Sequence, residues 1–258
     1  MRSLKVLAAA VIAGAIVLGP GLPVFADTTT LGVSDLVIHD GYAPTPSATD
    51  SIWYREDTRP GGSVFSTRTF GAPTGLGDGA LVLSTIGDNN AKAQLLTSYG
   101  VRGTALADVT ALSYWTYQSL LTGSIADAGP SFQLRVDVDG DLNTTADVTN
   151  LVYEPYWNDT EGPSPQHPLA PNTWQFWDTT GGQWWTSKQI TCGAFSVAPG
   201  AGGPPVTSPS AVATNCAGAK VLEIGVNVGS YNPNYLVAVD GIHFHAGAVD
   251  QTWNFGPK

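Results

Sequence analysis

Apolar and polar positions alternate along most of this chain. In Ala111–Gln118 (ALSYWTYQ), Leu112, Tyr114 and Thr116 fall on one side and Ser113, Trp115 and Tyr117 on the other. Phe132–Val138 repeats the pattern: Phe132, Leu134, Val136 and Val138 oppose Gln133, Arg135 and Asp137. In VLEIGVNVG, Leu222, Ile224, Val226 and Val228 oppose Val221 and Glu223. A period of two places alternate side chains on opposite faces of a strand. Helical periodicity is almost absent, and Gly, Pro, Asn and Asp separate the runs, which predicts an all-β chain. The predicted strands are Asp35–His39, Ile52–Arg55, Val64–Phe70, Gly79–Thr85, Ala93–Ser98, Ala111–Gln118, Phe132–Val138, Asn150–Glu154, Trp174–Trp177, Gln183–Thr186, Lys220–Val228, Tyr235–His245 and Thr252–Phe255. Thr104–Val109 (TALADV) is the one helical turn expected. Half-buried strands of this kind suit two packed antiparallel sheets, a β-sandwich of jelly-roll type.

The N-terminal pattern differs. Arg2 and Lys5 precede an apolar run from Val6 to Leu18, and Val24-Phe25-Ala26 ends in small-residue cleavage chemistry. This reads as a secretory signal over residues 1–26, followed by a single domain over 27–258. Its apolar run is shorter than the ~20 residues of a membrane span. Cutting after Ala26 removes two basic residues, so the net charge moves from −10 to −12. Such an acidic chain with scattered basic residues is a poor partner for nucleic acid or an anionic membrane. Export also predicts that the two cysteines, Cys192 and Cys216, are paired. The Pro/Gly-rich stretch between them, residues 197–211, reads as a surface loop tied at its base.

With the strands in place, the order of several motifs becomes informative. A Gly-rich turn and strand lead to Tyr99–Tyr117, then to the acidic Asp137–Asp141, then to NTWQFWDTTGGQWW (Asn172–Trp185), and last to VDGIHF (Val239–Phe244). In this order, over about residues 52–255, the chain resembles secreted bacterial β-sandwich domains that look like jelly-roll carbohydrate-binding modules. The resemblance implies fold and export, and the role expected from the residues themselves is non-catalytic, with an extracellular glycan or cell-surface polymer as partner.

Three segments carry candidate chemistry. The first, VDVDGDLN, crowds Asp137, Asp139, Asp141 and Asn143, with Asp147 just beyond. Like charges this close repel, and Ca²⁺, which takes six to eight oxygen ligands, turns the repulsion into attraction. The spacing is not that of an EF-hand: Gly140 is at the fourth position of the loop and Val148 stands where a Glu is needed. A structural Ca²⁺ on a β-sandwich loop is expected, with a solvated turn as the plain alternative.

The second segment is aromatic. Gly181-Gly182 suggests a hairpin between Trp174–Trp177 and Gln183–Thr186. Trp177 and Trp185, with Gln175, Asp178 and Gln183, offer flat rings beside polar groups, as a sugar requires. Tyr153, Tyr156 and Trp157 add a second aromatic group around Glu154. The same rings serve equally well as core anchors. The third candidate is a hydrolytic or lyase pair, Glu154 and Glu223, with Glu223 pairing to Lys220 or Arg135 as its structural alternative. His243 and His245, with His39, form a weaker candidate for Zn²⁺ or Cu²⁺. A structural or adhesive envelope protein is the remaining alternative.

Overall fold

A computed structural model describes residues 28–31, 53–120, 129–158, 166–200 and 202–256. The signal sequence expected over residues 1–26, His39 and the strand expected at Asp35–His39 lie outside the described residues. The chain is nearly all β. Its strands, in chain order, are β1 (Thr28–Leu31), β2 (Trp53–Tyr54), β3 (Gly62–Thr67), β4 (Ala80–Thr85), β5 (Ala93–Thr97), β6 (Val109–Leu120), β7 (Ser131–Asp137), β8 (Val148–Tyr153), β9 (Trp174–Asp178), β10 (Trp184–Thr186), β11 (Ile190–Cys192), β12 (Phe195–Val197), β13 (Val206–Thr207), β14 (Lys220–Val228), β15 (Tyr235–Ala246) and β16 (Val249–Phe255). The predicted turn at Thr104–Val109 is a 3₁₀ turn over Leu106–Asp108.

Two seven-stranded sheets stack as a sandwich, and β11–β12 forms a small separate hairpin. The second sheet runs β13-β10-β8-β7-β14-β5-β2 and is antiparallel throughout. The first is organised by β15. One edge of β15 pairs along its length with β6, which pairs in turn with β9. The other edge is shared: β4 takes Tyr235–Val239 and β16 takes Ile242–Ala246. Beyond these lie β3, on β4, and β1, which pairs in parallel with β16. The switch falls at Asp240-Gly241, where the register shifts and Gly241 adopts φ +53°. Asp240 Oδ1 accepts from the backbone N–H groups of Gly241 and Phe255 at 2.9 and 2.8 Å. One buried carboxylate thus ties the bulge to the neighbouring strand.

The alternation seen in the sequence decides the core. Leu112, Tyr114, Val237, Val239 and Phe244 of the first sheet face Leu134, Leu151, Tyr153, Ile224 and Val226 of the second, and all are fully buried. Aromatic edge-to-face contacts run through this layer, with Tyr114–Phe132 at 5.3 Å and Tyr153–Trp184 at 5.5 Å.

Two expectations are corrected. Asp178–Gln183 is not a hairpin turn. It crosses from the first sheet to the second, because β9 pairs with β6 while β10 pairs with β8 and β13. The buried Thr179 anchors the crossover through its N–H and hydroxyl to Leu112 O, at 2.8 and 3.0 Å. The 197–211 stretch is also more ordered than a loop. It contains β13 and opens a short helix, α1 (Pro209–Asn215). Ser208 caps that helix, accepting from Ala211 N at 3.1 Å, with Pro209 in the first turn.

The Cys192–Cys216 disulfide is present, with its Cα atoms 5.5 Å apart and a separation of 24 residues. Replacing both cysteines by serine is expected to cost about 3 kcal/mol from loop-closure entropy. A urea midpoint unchanged from the parent would contradict this.

Candidate functional site

The outer face of the second sheet carries most of the chain's unusual polar chemistry. One row runs straight across it: Trp185, Val152, Gln133, Gly225, Leu96 and Tyr54 are successive cross-strand partners. On one side lies Asn150–Arg135–Glu223, and on the other Ser131–Asn227–Gln94. Gly225 is required in the middle, since a Cβ there would lie 2.2 Å from Leu95 O. Gln133, Asn227 and Gln94 are buried although they point away from the core between the sheets. Gln133 Oε1 and Asn227 Oδ1 have no hydrogen-bond partner among the described residues. Unmatched buried amide oxygens are costly, and a run of them is unusual.

At one end of this face the aromatic residues around Glu154 come together. The 3₁₀ turn Pro155–Asn158 follows β8, and the buried Asn158 locks it to the chain entering β10. Its Nδ2 donates to Glu154 O (3.0 Å) and Gln183 O (3.1 Å), and its Oδ1 accepts from Gln183 N (2.8 Å). Tyr156 is 46% exposed and meets Trp157 edge-on at 4.9 Å. Trp157 Nε1 donates to Gly202 O at 2.9 Å, and its ring lies where a Cβ on Gly203 would sit. A Cβ on Gly200 would lie 2.0 Å from Gly203 O and 3.0 Å from Trp185 Cβ. The stretch needs glycine here because its own backbone and the Trp157 indole occupy the space that side chains would need. Burial raises the Glu154 carboxyl above its ordinary range, and the neighbouring Trp185 and Trp157 only partly oppose the rise.

A groove of about 320 Å³ opens further along the same face. It is lined by Arg135, Asn150, Lys188 and Ser187, with Leu222 and Val148 as apolar surface. Arg135 is held rigidly: Nη1 meets Glu223 at 2.6 Å and Glu56 at 2.7 Å, and Nε donates to Asn150 Oδ1 at 3.0 Å.

The rest of the aromatic run lies elsewhere. Trp177 is fully buried between the sheets, its Nε1 bonded to Thr116 Oγ1 at 2.9 Å, so its ring is closed to a surface ligand. Gln175 is bonded to His167 and to Pro168 O, and Asp178 caps Thr180 N. All three belong to the first sheet, whereas Trp185 lies on β10 of the second and Tyr156 and Trp157 on the turn that follows β8. The opposite face of β9 presents Trp174 and Phe176, half-buried beside Tyr117 and Trp115 at 5.6 and 5.3 Å. Their spacing in the sequence already placed them on one face, but not on the outer one.

Glu154 and Glu223 do not converge. Glu223 pairs through Arg135 with Asn150, and Glu154 lies four residues beyond Asn150. At ~3.3 Å per residue and ~4.8 Å per strand the two are on the order of 15 Å apart. Two carboxylates acting on one glycosidic bond stand roughly 5–9.5 Å apart, so this pairing is set aside. Glu223 instead serves Arg135, the structural alternative. His243 and His245 are likewise engaged, with Asp250 at 2.8 Å and Thr110 at 2.7 Å.

The acidic segment is divided. Asp137, Asp139 and Asp147 bring carboxylate oxygens within 4.8 Å of one another. Asp141 and Asn143 turn to each other instead, Asn143 N and Nδ2 both donating to Asp141 Oδ1. Within the group of three, Asp139 N donates to Asp147 Oδ2 at 2.6 Å and Gly140 N to Asp137 Oδ1 at 2.7 Å. Asp137 is fully buried, yet among the described residues its Oδ2 has no partner, nor has Asp147 Oδ1. Burial, and after it the neighbouring carboxylates, raise the Asp137 carboxyl above its usual range. Two orphaned, partly desolvated carboxylate oxygens facing a third acid fit an oxygen-seeking cation.

No family model matches this chain, and no curated protein matches it significantly. The solved structures similar to it are carbohydrate-binding modules of β-sandwich type. A family 11 module from Clostridium thermocellum, in complex with a beta-1,3-1,4-mixed-linked tetrasaccharide, is 12% identical with TM-score 0.36, over 73% of this chain and 85% of its own. TmCBM61, in complex with beta-1,4-galactotriose, is 11% identical with TM-score 0.34, over 76% and 88%. At these scores no residue-by-residue correspondence is drawn.

Asp240 supplies a pH test of the first sheet. Burial lifts its carboxyl from 3.8 to about 8, against the opposing N–H groups of Phe255 and Gly241. The folded state therefore keeps a proton that the unfolded chain has lost. This contribution to stability is complete below about pH 4 and is lost as pH rises to about 8. Urea titrations across that window are expected to show the decline in the parent and a flatter profile in Asp240→Asn.

Proposed function

We propose that this chain is a secreted, non-catalytic binder of a neutral extracellular glycan and that it holds a structural Ca²⁺. The observation that carries the glycan reading is the grouping of Trp157 and Trp185 beside Glu154, with the exposed Tyr156 in edge contact with Trp157, at one end of the outer face of the second sheet. A pyranose ring offers C–H groups on its faces and hydroxyls at its rim. Aromatic faces take the first, and Glu154 takes the second. Net negative charge and the engagement of Arg135 by two carboxylates favour a neutral polymer over an anionic one. With Glu154 and Glu223 far apart, these two carboxylates act in binding and in structure, not as a hydrolytic pair. The leader over residues 1–26 and the disulfide support export.

The Ca²⁺ reading rests on Asp137, Asp139 and Asp147. The ion's chemistry here is neutralisation of crowded carboxylates; backbone carbonyls and water complete a shell of oxygens.

A glycan array followed by titration calorimetry tests the first reading. Trp157→Ala and Trp185→Ala are each expected to weaken binding by about tenfold or more, the scale of a lost aromatic contact. Release of reducing sugar that stops in Glu154→Gln would replace binding with catalysis. For the ion, CaCl₂ is expected to raise the melting temperature of EDTA-treated protein by several degrees, and Asp139→Ala to abolish the rise. A melting temperature indifferent to both leaves a solvated turn.

A further inference from the structure

The acidic cluster and the groove are built from the same two strands. Asp147 is followed at once by Val148, which lines the groove, and then by Asn150 one face-repeat later. On β7, Arg135 lines the groove two residues before Asp137. Thr145, another lining residue, lies in the loop between Asp139 and Asp147. The groove wall and the cluster are therefore contiguous along β7, β8 and the loop that joins them.

The loop has some support of its own. Gly140 packs so tightly against Gly218 that a Cβ would lie 2.0 Å from Gly218 O. What it lacks is charge balance. Asp137 is fully buried with Oδ2 unpartnered among the described residues, and Asp147 Oδ1 is likewise unpartnered beside it. Each of these carboxylates keeps one backbone N–H on its other oxygen, but three like charges this close repel unless a cation sits between them.

The groove also continues the path of the aromatic corner. Trp185 pairs with Val152, and the next row on the same face holds Ser187 and Asn150. Ser187 Oγ accepts from Asn150 N at 2.9 Å, and Ser187 N donates to Asn150 O at 2.9 Å. Successive rows on one face are separated by about 7 Å. A chain of sugar rings held at the corner and running along β8 enters the groove next. There Asn150 and Lys188 offer hydrogen bonds above the apolar surface of Leu222 and Val148.

We propose that the groove is an extension subsite for a long glycan, and that a divalent cation bound by Asp137, Asp139 and Asp147 sets its shape. The inference rests on the glycan reading above. Its signature is length-dependent: the ion governs affinity for long chains and leaves short ones, held at the corner alone, unaffected.

The test uses the full chain, CaCl₂ or EDTA, and the oligosaccharide ladders, from disaccharide to hexasaccharide, of mixed-linked β-glucan, galactan, xylan and mannan. Calcium is expected to tighten hexasaccharide binding by about tenfold, or 1.4 kcal/mol, with no change for a disaccharide. Asn150→Ala is expected to bring the hexasaccharide to its calcium-free affinity and to remove the calcium effect, while calcium still binds by calorimetry. Asp147→Asn removes both effects, and the exposed Asp139→Ala serves should that variant not fold. A calcium effect equal at all lengths, none at any length, or one that survives Asn150→Ala overturns the inference and leaves the glycan reading standing. Failure of every ladder to bind in either condition removes the glycan reading, and this inference with it.

Discussion

The structure depends on burying one face of each sheet against the other. Each strand has two faces, and only one is apolar enough to leave water. Burying a large apolar side chain contributes roughly 1.5–3 kcal/mol, and the fully buried layer includes Trp53, Trp177, Trp184 and Trp253. Register follows, because a slip of one residue would send every inner side chain outward. The hub strand β15 shows how tightly this holds. It serves two partners on one edge, and the bulge needed for the change of partner is fastened by Asp240 to Phe255 N.

Once the inner faces are committed, the outer faces are free for other chemistry, and the two sheets use them differently. The second sheet carries buried amides, Arg135 with its two carboxylates, and the Glu154 corner. The first presents Trp115, Tyr117, Trp174 and Phe176. The crossover at Asp178–Gln183 divides the aromatic run between these surfaces. Rings that are close in the chain therefore work in different places: Trp177 holds the core together and Trp185 lines the outer corner.

The edges of the sheets are also managed. Strand β9 has one neighbour in its sheet, so its far side offers free backbone groups. Gln166 Oε1 accepts from Asp178 N at 2.9 Å, and the His167 ring meets Phe176 O at 2.8 Å. Side chains thus satisfy an edge that would otherwise template association with another strand. They also hold the segment before β9 in place, which keeps the crossover and the corner fixed relative to each other.

Much of this was legible in the residues alone. Alternation in Ala111–Gln118 and Phe132–Val138 identified inner and outer faces correctly, because a period of two is a local property of an extended chain. The cysteine pair and the crowding of Asp137 and Asp139 were legible for the same reason: both follow from composition and near neighbours. What the sequence could not supply was which strand lies beside which. Gly181-Gly182 looks like a hairpin turn whether or not the flanking strands pair, so the division of the aromatic run between two sheets was hidden. The distance between Glu154 and Glu223, the departure of Asp141 and Asn143 from the acidic cluster, and the adjacency of the Asp147 loop to a groove all depend on pairings between distant residues. Those pairings are set by the competition of all strands for one shared core, which no single stretch of the chain contains.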